Sequence, residues 1–142
     1  MREIINNFIK QNEAVLEFLE NRGRDYKEAD YVIPQYNDFL VRSKFNVALG
    51  LDYANILQLS NDDEISGQFD LKDIAKLFAS LLKIQEYNLD AFVNAAYFEY
   101  SVMNNNSDAQ KIAELGINNA NEKIEELQKL LHLIRKESKS GA

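Results

Sequence analysis

Beyond residue 112 the apolar side chains recur with helical spacing. Ala113, Ile117, Ala120, Ile124, Leu127, Leu131 and Ile134 stand 4, 3, 4, 3, 4 and 3 residues apart. This is the seam of an α-helix that lies lengthwise on other helices. Glu122, Lys123, Glu125, Glu126, Lys129 and Lys136 fill the intervening positions. The spacing predicts a C-terminal helix running to about Glu137, ~30 residues or roughly 45 Å long. Its seam is expected to be shielded by neighbouring helices of the same chain or of a second copy.

The same periodicity organises the rest of the chain. Ile5, Phe8, Val15 and Leu19 share a face of a first helix over Arg2–Asn21. Asn12 interrupts that stripe. At such a position an Asn either lies at the wet edge of the stripe, the expectation here, or is buried and fixes register. Gly23 suits the left-handed residue that ends a helix. Residues 25–32 are charged and carry no clear period, and Pro34 fits a first helical turn. A second helix is predicted from about Gln35 to Leu59. Tyr36, Leu40, Val47, Leu51 and Ala54 form one stripe, and Phe39, Phe45, Leu49, Tyr53 and Leu57 broaden it. Gly50 inside it implies a close helix–helix approach.

An acidic connection, Ser60–Asp70, leads to a third helix near Leu71–Glu86, with Asp70 or Asp73 as its cap. A fourth follows, about Leu89–Met103. Asn104–Asp108 is a turn, with Asn106 or Ser107 expected to cap the last helix. Turns this short predict antiparallel neighbours for the third and fourth helices and for the fourth and fifth. The fold class is therefore all-α. About five helices are expected, as antiparallel helical hairpins stacked in a bundle or a short array, in a single domain over 1–137 with a disordered tail over 138–142.

The fourth and fifth helices resemble a tetratricopeptide repeat. Asp90-Ala-Phe-Val-Asn-Ala-Ala96 is similar to the opening of that repeat, with Phe92 at the large aromatic position and Ala95-Ala96 in place of Leu-Gly. Ala109, Ala113 and Gly116 fall at the small, large and small positions of its second helix. Upstream, Leu49-Gly50-Leu51-Asp52-Tyr53 resembles the Leu-Gly-x-x-Tyr core of another first helix, with Phe78 as the aromatic of its partner. Leu49 and Ala95 are 46 residues apart, where the family repeats at about 34, and Asn46 stands at a position for a large aromatic. The resemblance, over roughly 43–122, implies a protein-binding module. Its binding face would be Val93, Asn94, Tyr97, Tyr100 and Ser101. The basic residues with which some members clamp a C-terminal carboxylate are missing from that face.

Composition narrows the functions. The formal net charge is −7, with 23 acidic against 16 basic residues. Nucleic acid and anionic membrane both require a concentrated basic surface. Only Lys129, Arg135, Lys136 and Lys139 cluster, and they suit a helix C-terminus complementing its own dipole. Apolar residues at 46% fit a folded globule. No apolar run is long enough for a membrane span or a signal core. A cytoplasmic location is the default expectation.

Candidate chemistry is sparse. The chain has no cysteine and one histidine, His132, expected on the surface one residue past the seam. Neither thiolate catalysis nor a His/Cys metal centre can be assembled from these. Gly-x-Ser-x-Gly and phosphate-cradling glycine loops are absent. The acidic stretch Asp62–Asp73 resembles an EF-hand loop, with ligand positions at Asp62, Glu64, Ser66 and Asp70 and Gly67 at the sixth place. Asp73 stands where that loop needs a bidentate Glu. The bland reading is an acidic connection whose aspartates cap the next helix. The sequence thus predicts no catalytic residue, no cofactor and no metal. It predicts a protein or peptide partner through the tyrosine face. Two alternatives stay open: a structural homo-oligomer through the C-terminal helix, and calcium binding at 62–73.

Overall fold

A computed structural model describes residues 2–21, 34–35, 37–39, 42, 47–59 and 61–141. Among these residues the chain is all-α and contains no strand. In chain order the helices are α1 (Arg2–Asn21), α2 (Val47–Leu57), a one-turn α3 (Asp63–Ser66), α4 (Leu71–Ile84), α5 (Leu89–Tyr97) and α6 (Asn106–Ser140). A π-helical turn, Phe98–Val102, continues α5. Gly23, residues 25–32, Tyr36, Leu40 and residues 43–46 lie outside the described set. No described helix is long and apolar enough to cross a membrane. The chain forms two compact units, Met1–Gln85 and Glu86–Ala142.

The first unit is built on an aliphatic core of Ile5, Ala54, Leu57, Ile74, Leu77 and Leu81, with Phe78. Fully burying each large side chain contributes about 1.5–3 kcal/mol. Gly50 lets α2 approach both neighbours. A Cβ there would stand 3.2 Å from Leu81 Cδ2 and 3.6 Å from the Phe8 ring. Phe8 and Tyr53 pair their rings at 5.5 Å.

Two polar ties align α1 with α4. Asn12 is fully buried, not at the wet edge of its stripe as the sequence suggests. Its Nδ2 donates to Ser80 Oγ, and no described group donates to its Oδ1. Nearer the N-terminus, Arg2 Nε donates to Asp73 Oδ2 at 2.9 Å, and its Nη2 stands 3.4 Å from Asp70 Oδ2. Going from residue 2 to residue 12 thus moves the contact from Asp73 to Ser80, so α1 and α4 run in the same direction.

The acidic connection is consumed by capping. Asp62 accepts from the Glu64 N–H at 2.9 Å and starts α3. Asp70 and Asp73 form a reciprocal box: the Asp73 N–H bonds Asp70 Oδ1 at 3.0 Å, and the Asp70 N–H bonds Asp73 Oδ2 at 2.9 Å. Both acids offered by the sequence as caps of α4 therefore act together. Residues 63–66 are helical rather than wrapped as a ligand loop. Among the described residues no group of three or more His, Asp or Glu side chains gathers as a metal ion would need.

Burial alone would raise the Asp73 carboxyl. The Asp70 backbone N–H, the Arg2 hydrogen bond and charge, and Lys76 outweigh it and hold the group below its ordinary value. A carboxyl depressed in the folded state contributes stability above its unfolded value, near about 3.9. That contribution is lost as pH falls through the lower folded value. The stability gap between the parent chain and Arg2→Met is therefore expected to be full at neutral pH and to close below about pH 4, read by urea denaturation across the acid range. For the second tie, Asn12→Ala is expected to cost about 2 kcal/mol, from a lost donor and a small void. Asn12→Leu combined with Ser80→Ala is expected to cost under about 1 kcal/mol, because both polar partners leave together.

Candidate functional site

The second unit is a helical hairpin. Asn88 begins α5 by accepting from the Ala91 N–H at 3.3 Å. The register along α5 then separates two faces. Ala91, Ala95 and Phe98 are buried, while Val93, Tyr97 and Tyr100 are exposed. At Phe98 the helix widens into the π turn, closed by Met103 N–H donating to the Phe98 carbonyl at 3.1 Å. Asn104 takes a left-handed conformation (φ 53°) and reverses the chain. Asn105 then caps α6, accepting from the Asp108 N–H at 3.1 Å and donating to its Oδ2 at 2.8 Å. The cap falls one residue before Asn106 and two before Ser107, the positions that the sequence suggests.

The two helices are antiparallel. Phe92 meets Gly116, and nearer the start of α5 Asn119 Nδ2 donates to the Glu86 carbonyl at 2.6 Å. Gly116 is what allows this approach. A Cβ at that position would lie 2.8 Å from Phe92 Cβ and 2.9 Å from its Cγ. These are the root atoms of the aromatic side chain, which cannot swing aside cheaply.

Between the helices lies an apolar groove of about 530 Å³. One wall is Leu89, Phe92, Val93, Ala96, Tyr97 and Tyr100. The other is Asn106, Ala109, Gln110, Ala113, Gly116 and Ile117. Tyr97 and Tyr100 are 66% and 60% exposed, so their rings stand at the rim rather than in a core. Of the five residues the sequence offers for partner contact, the structure brings Val93, Tyr97 and Tyr100 to this groove. Asn94 and Ser101 do not line it. Asn94 bonds the Asp90 carbonyl of its own helix at 2.8 Å.

The hairpin that forms the groove is acidic. Between residues 86 and 122 the acidic side chains are Glu86, Asp90, Glu99, Asp108, Glu114 and Glu122, against Lys111 alone. Burial, with a smaller contribution from the Asp108 charge, raises the Glu99 carboxyl above its ordinary value.

Along α6 the seam changes character. Ala113 and Ile117 border the groove, and Ala120 is half-buried. Lys123 sits over the Tyr87 ring at 4.3 Å and bridges to Glu126 at 3.1 Å. From there outward, Ile124, Leu127, Leu131 and Ile134 are 45–65% exposed. Of the two kinds of cover the sequence allows for this stripe, helices of the same chain leave its outer part exposed. α5 and its π turn are too short to accompany a helix of 35 residues. α6 also continues through residues 138–140, assigned by sequence to a disordered tail. His132 is exposed, as the spacing suggests.

No protein-family model matches this chain, no curated protein matches it, and no solved structure matches it. The hairpin itself therefore carries the functional argument.

Gly116→Ala is expected to destabilise the protein although alanine favours helix by about 1 kcal/mol. Overpacking against Phe92 costs about 1–3 kcal/mol. Gly50→Ala, whose Cβ crowds only the flexible end of Leu81 and meets the Phe8 ring at ordinary contact distance, is expected to be milder. Urea denaturation of the two variants side by side makes the comparison.

Proposed function

We propose that the protein is a non-catalytic interaction module that captures a segment of another protein in the α5–α6 groove. The observation that carries this reading is the groove itself: an apolar cleft between two helices, rimmed by exposed Tyr97 and Tyr100. Tyrosine suits such a place because its ring buries apolar area at small entropic cost while its hydroxyl stays wet. Isolated exposed apolar residues need no explanation, but a contiguous apolar cleft marks a site of recognition.

The shape and charge define the ligand. A cleft between antiparallel helices accepts an amphipathic helix through apolar anchors one turn apart. The acidic composition of the hairpin favours a ligand with flanking Lys or Arg, which raises the on-rate at low salt. Partner capture in the manner of tetratricopeptide-like hairpins is consistent with this arrangement, and a cytoplasmic setting is part of the same reading.

The test is capture of partners from an extract of the native host. Tyr97→Ala with Tyr100→Ala is expected to abolish capture of the specific partner while leaving the helical circular dichroism intact. Each lost aromatic anchor is expected to cost about 2 kcal/mol of binding. Undiminished capture by the double variant would remove the groove from consideration.

A further inference from the structure

We propose that the outer half of α6 pairs antiparallel with the same segment of a second copy, forming a two-helix interface centred near Leu130. This concerns a surface separate from the groove and does not rest on the groove reading. The starting observation is the stripe of Ile124, Leu127, Leu131 and Ile134, flanked by Leu130, all 45–65% exposed. No described element covers it. Side chains spaced 3 and 4 apart fit a helix that offers the same spacing, and a second α6 supplies it.

Charge selects the orientation. The start of the segment carries Glu122, Glu125 and Glu126, and its end carries Arg135, Lys136 and Lys139. An antiparallel pair lays the acidic end of each copy along the basic end of the other. In that register Ile124 faces Ile134 of the second copy and Leu127 faces Leu131 of the second copy. All four seam residues are thereby filled. Lys123 falls in the flanking row that meets Glu137 of the second copy. A parallel in-register pair fails on the same charges, because acid then adjoins acid, base adjoins base, and Leu130 is set against Arg135. The antiparallel arrangement is also self-complementary, so a two-fold axis closes it at two chains. The paired stretch is short, about 20 Å from Lys123 to Glu137, so the association is expected to be reversible and concentration-dependent.

Sedimentation equilibrium of the full chain is expected to show the mass rising from one chain to two with concentration. Leu127→Glu, and independently Ile134→Lys, are expected to hold the protein as a monomer with undiminished helical circular dichroism. Tyr97→Ala with Tyr100→Ala is expected to dimerise like the parent, which separates this surface from the groove. Orientation is read by cross-linking, since the chain has no cysteine of its own. A mixture of Leu127→Cys and Leu131→Cys chains is expected to form a disulfide dimer readily, and Leu127→Cys alone much more slowly. A monomer at every concentration, a dimer that survives both charge substitutions, or faster linking of Leu127→Cys to itself would each overturn the proposal.

Discussion

The close approach of Phe92 to Gly116 is the constraint on which the second unit depends. Helix axes separate according to the side chains between them. At this crossing one helix contributes no side chain and the other the base of a phenylalanine. The contact draws α5 and α6 together at one point, and the Asn119 bond to the Glu86 carbonyl ties α6 to the turn that leads into α5. Everything in the groove is then placed by helical geometry. Val93, Tyr97 and Tyr100 follow at one-turn intervals along one wall, and Ala109, Ala113 and Gly116 along the other. The small residues of α6 leave the space, and the aromatics of α5 frame it.

The first unit solves a different problem. An aliphatic interface between helices gives little resistance to sliding by one turn, because neighbouring rungs look alike. The two polar ties between α1 and α4 remove that freedom. Asn12 finds a buried partner at only one rung, and Arg2 reaches the Asp70–Asp73 cap at only one end. Burial of Asn12, with an acceptor that no described group satisfies, costs stability. The arrangement is intelligible as a cost accepted for register, the best-attested role of polar groups at such positions.

Elements with strong period and local end signals were legible in the sequence. α1 has the predicted bounds, α4 is capped by the two predicted acids, and the α5–α6 hairpin turns where the asparagines stand. What the sequence did not show depends on neighbours. The π turn at Phe98–Val102 leaves no mark in apolar spacing, because Tyr97, Phe98 and Tyr100 satisfy either helix type. Asn12 read as a boundary residue because its own helix does not reveal Ser80 lying opposite. Of the five residues the sequence offered for partner contact, three border the groove, and their spacing was legible from α5 alone. The second wall of the groove appeared in the sequence as repeat positions at Ala109, Ala113 and Gly116 and as seam positions at Ala113 and Ile117, with nothing to show that they face a cleft. The seam of α6 was correctly seen as apolar, but its shielding was not predictable, because periodicity in one helix says nothing about how far its neighbours extend.

The length of α6 has a further consequence. A continuous helix is a rigid spacer with a fixed rise of about 1.5 Å per residue. Ile117, at the groove, lies twelve residues from position 129, the midpoint between the facing seam residues. Two copies joined there would hold their clefts about 36 Å apart along a common axis. A ligand carrying two suitable motifs on a linker of matching reach would engage both at once. The second engagement would then be intramolecular and the bivalent complex far longer-lived than either single contact.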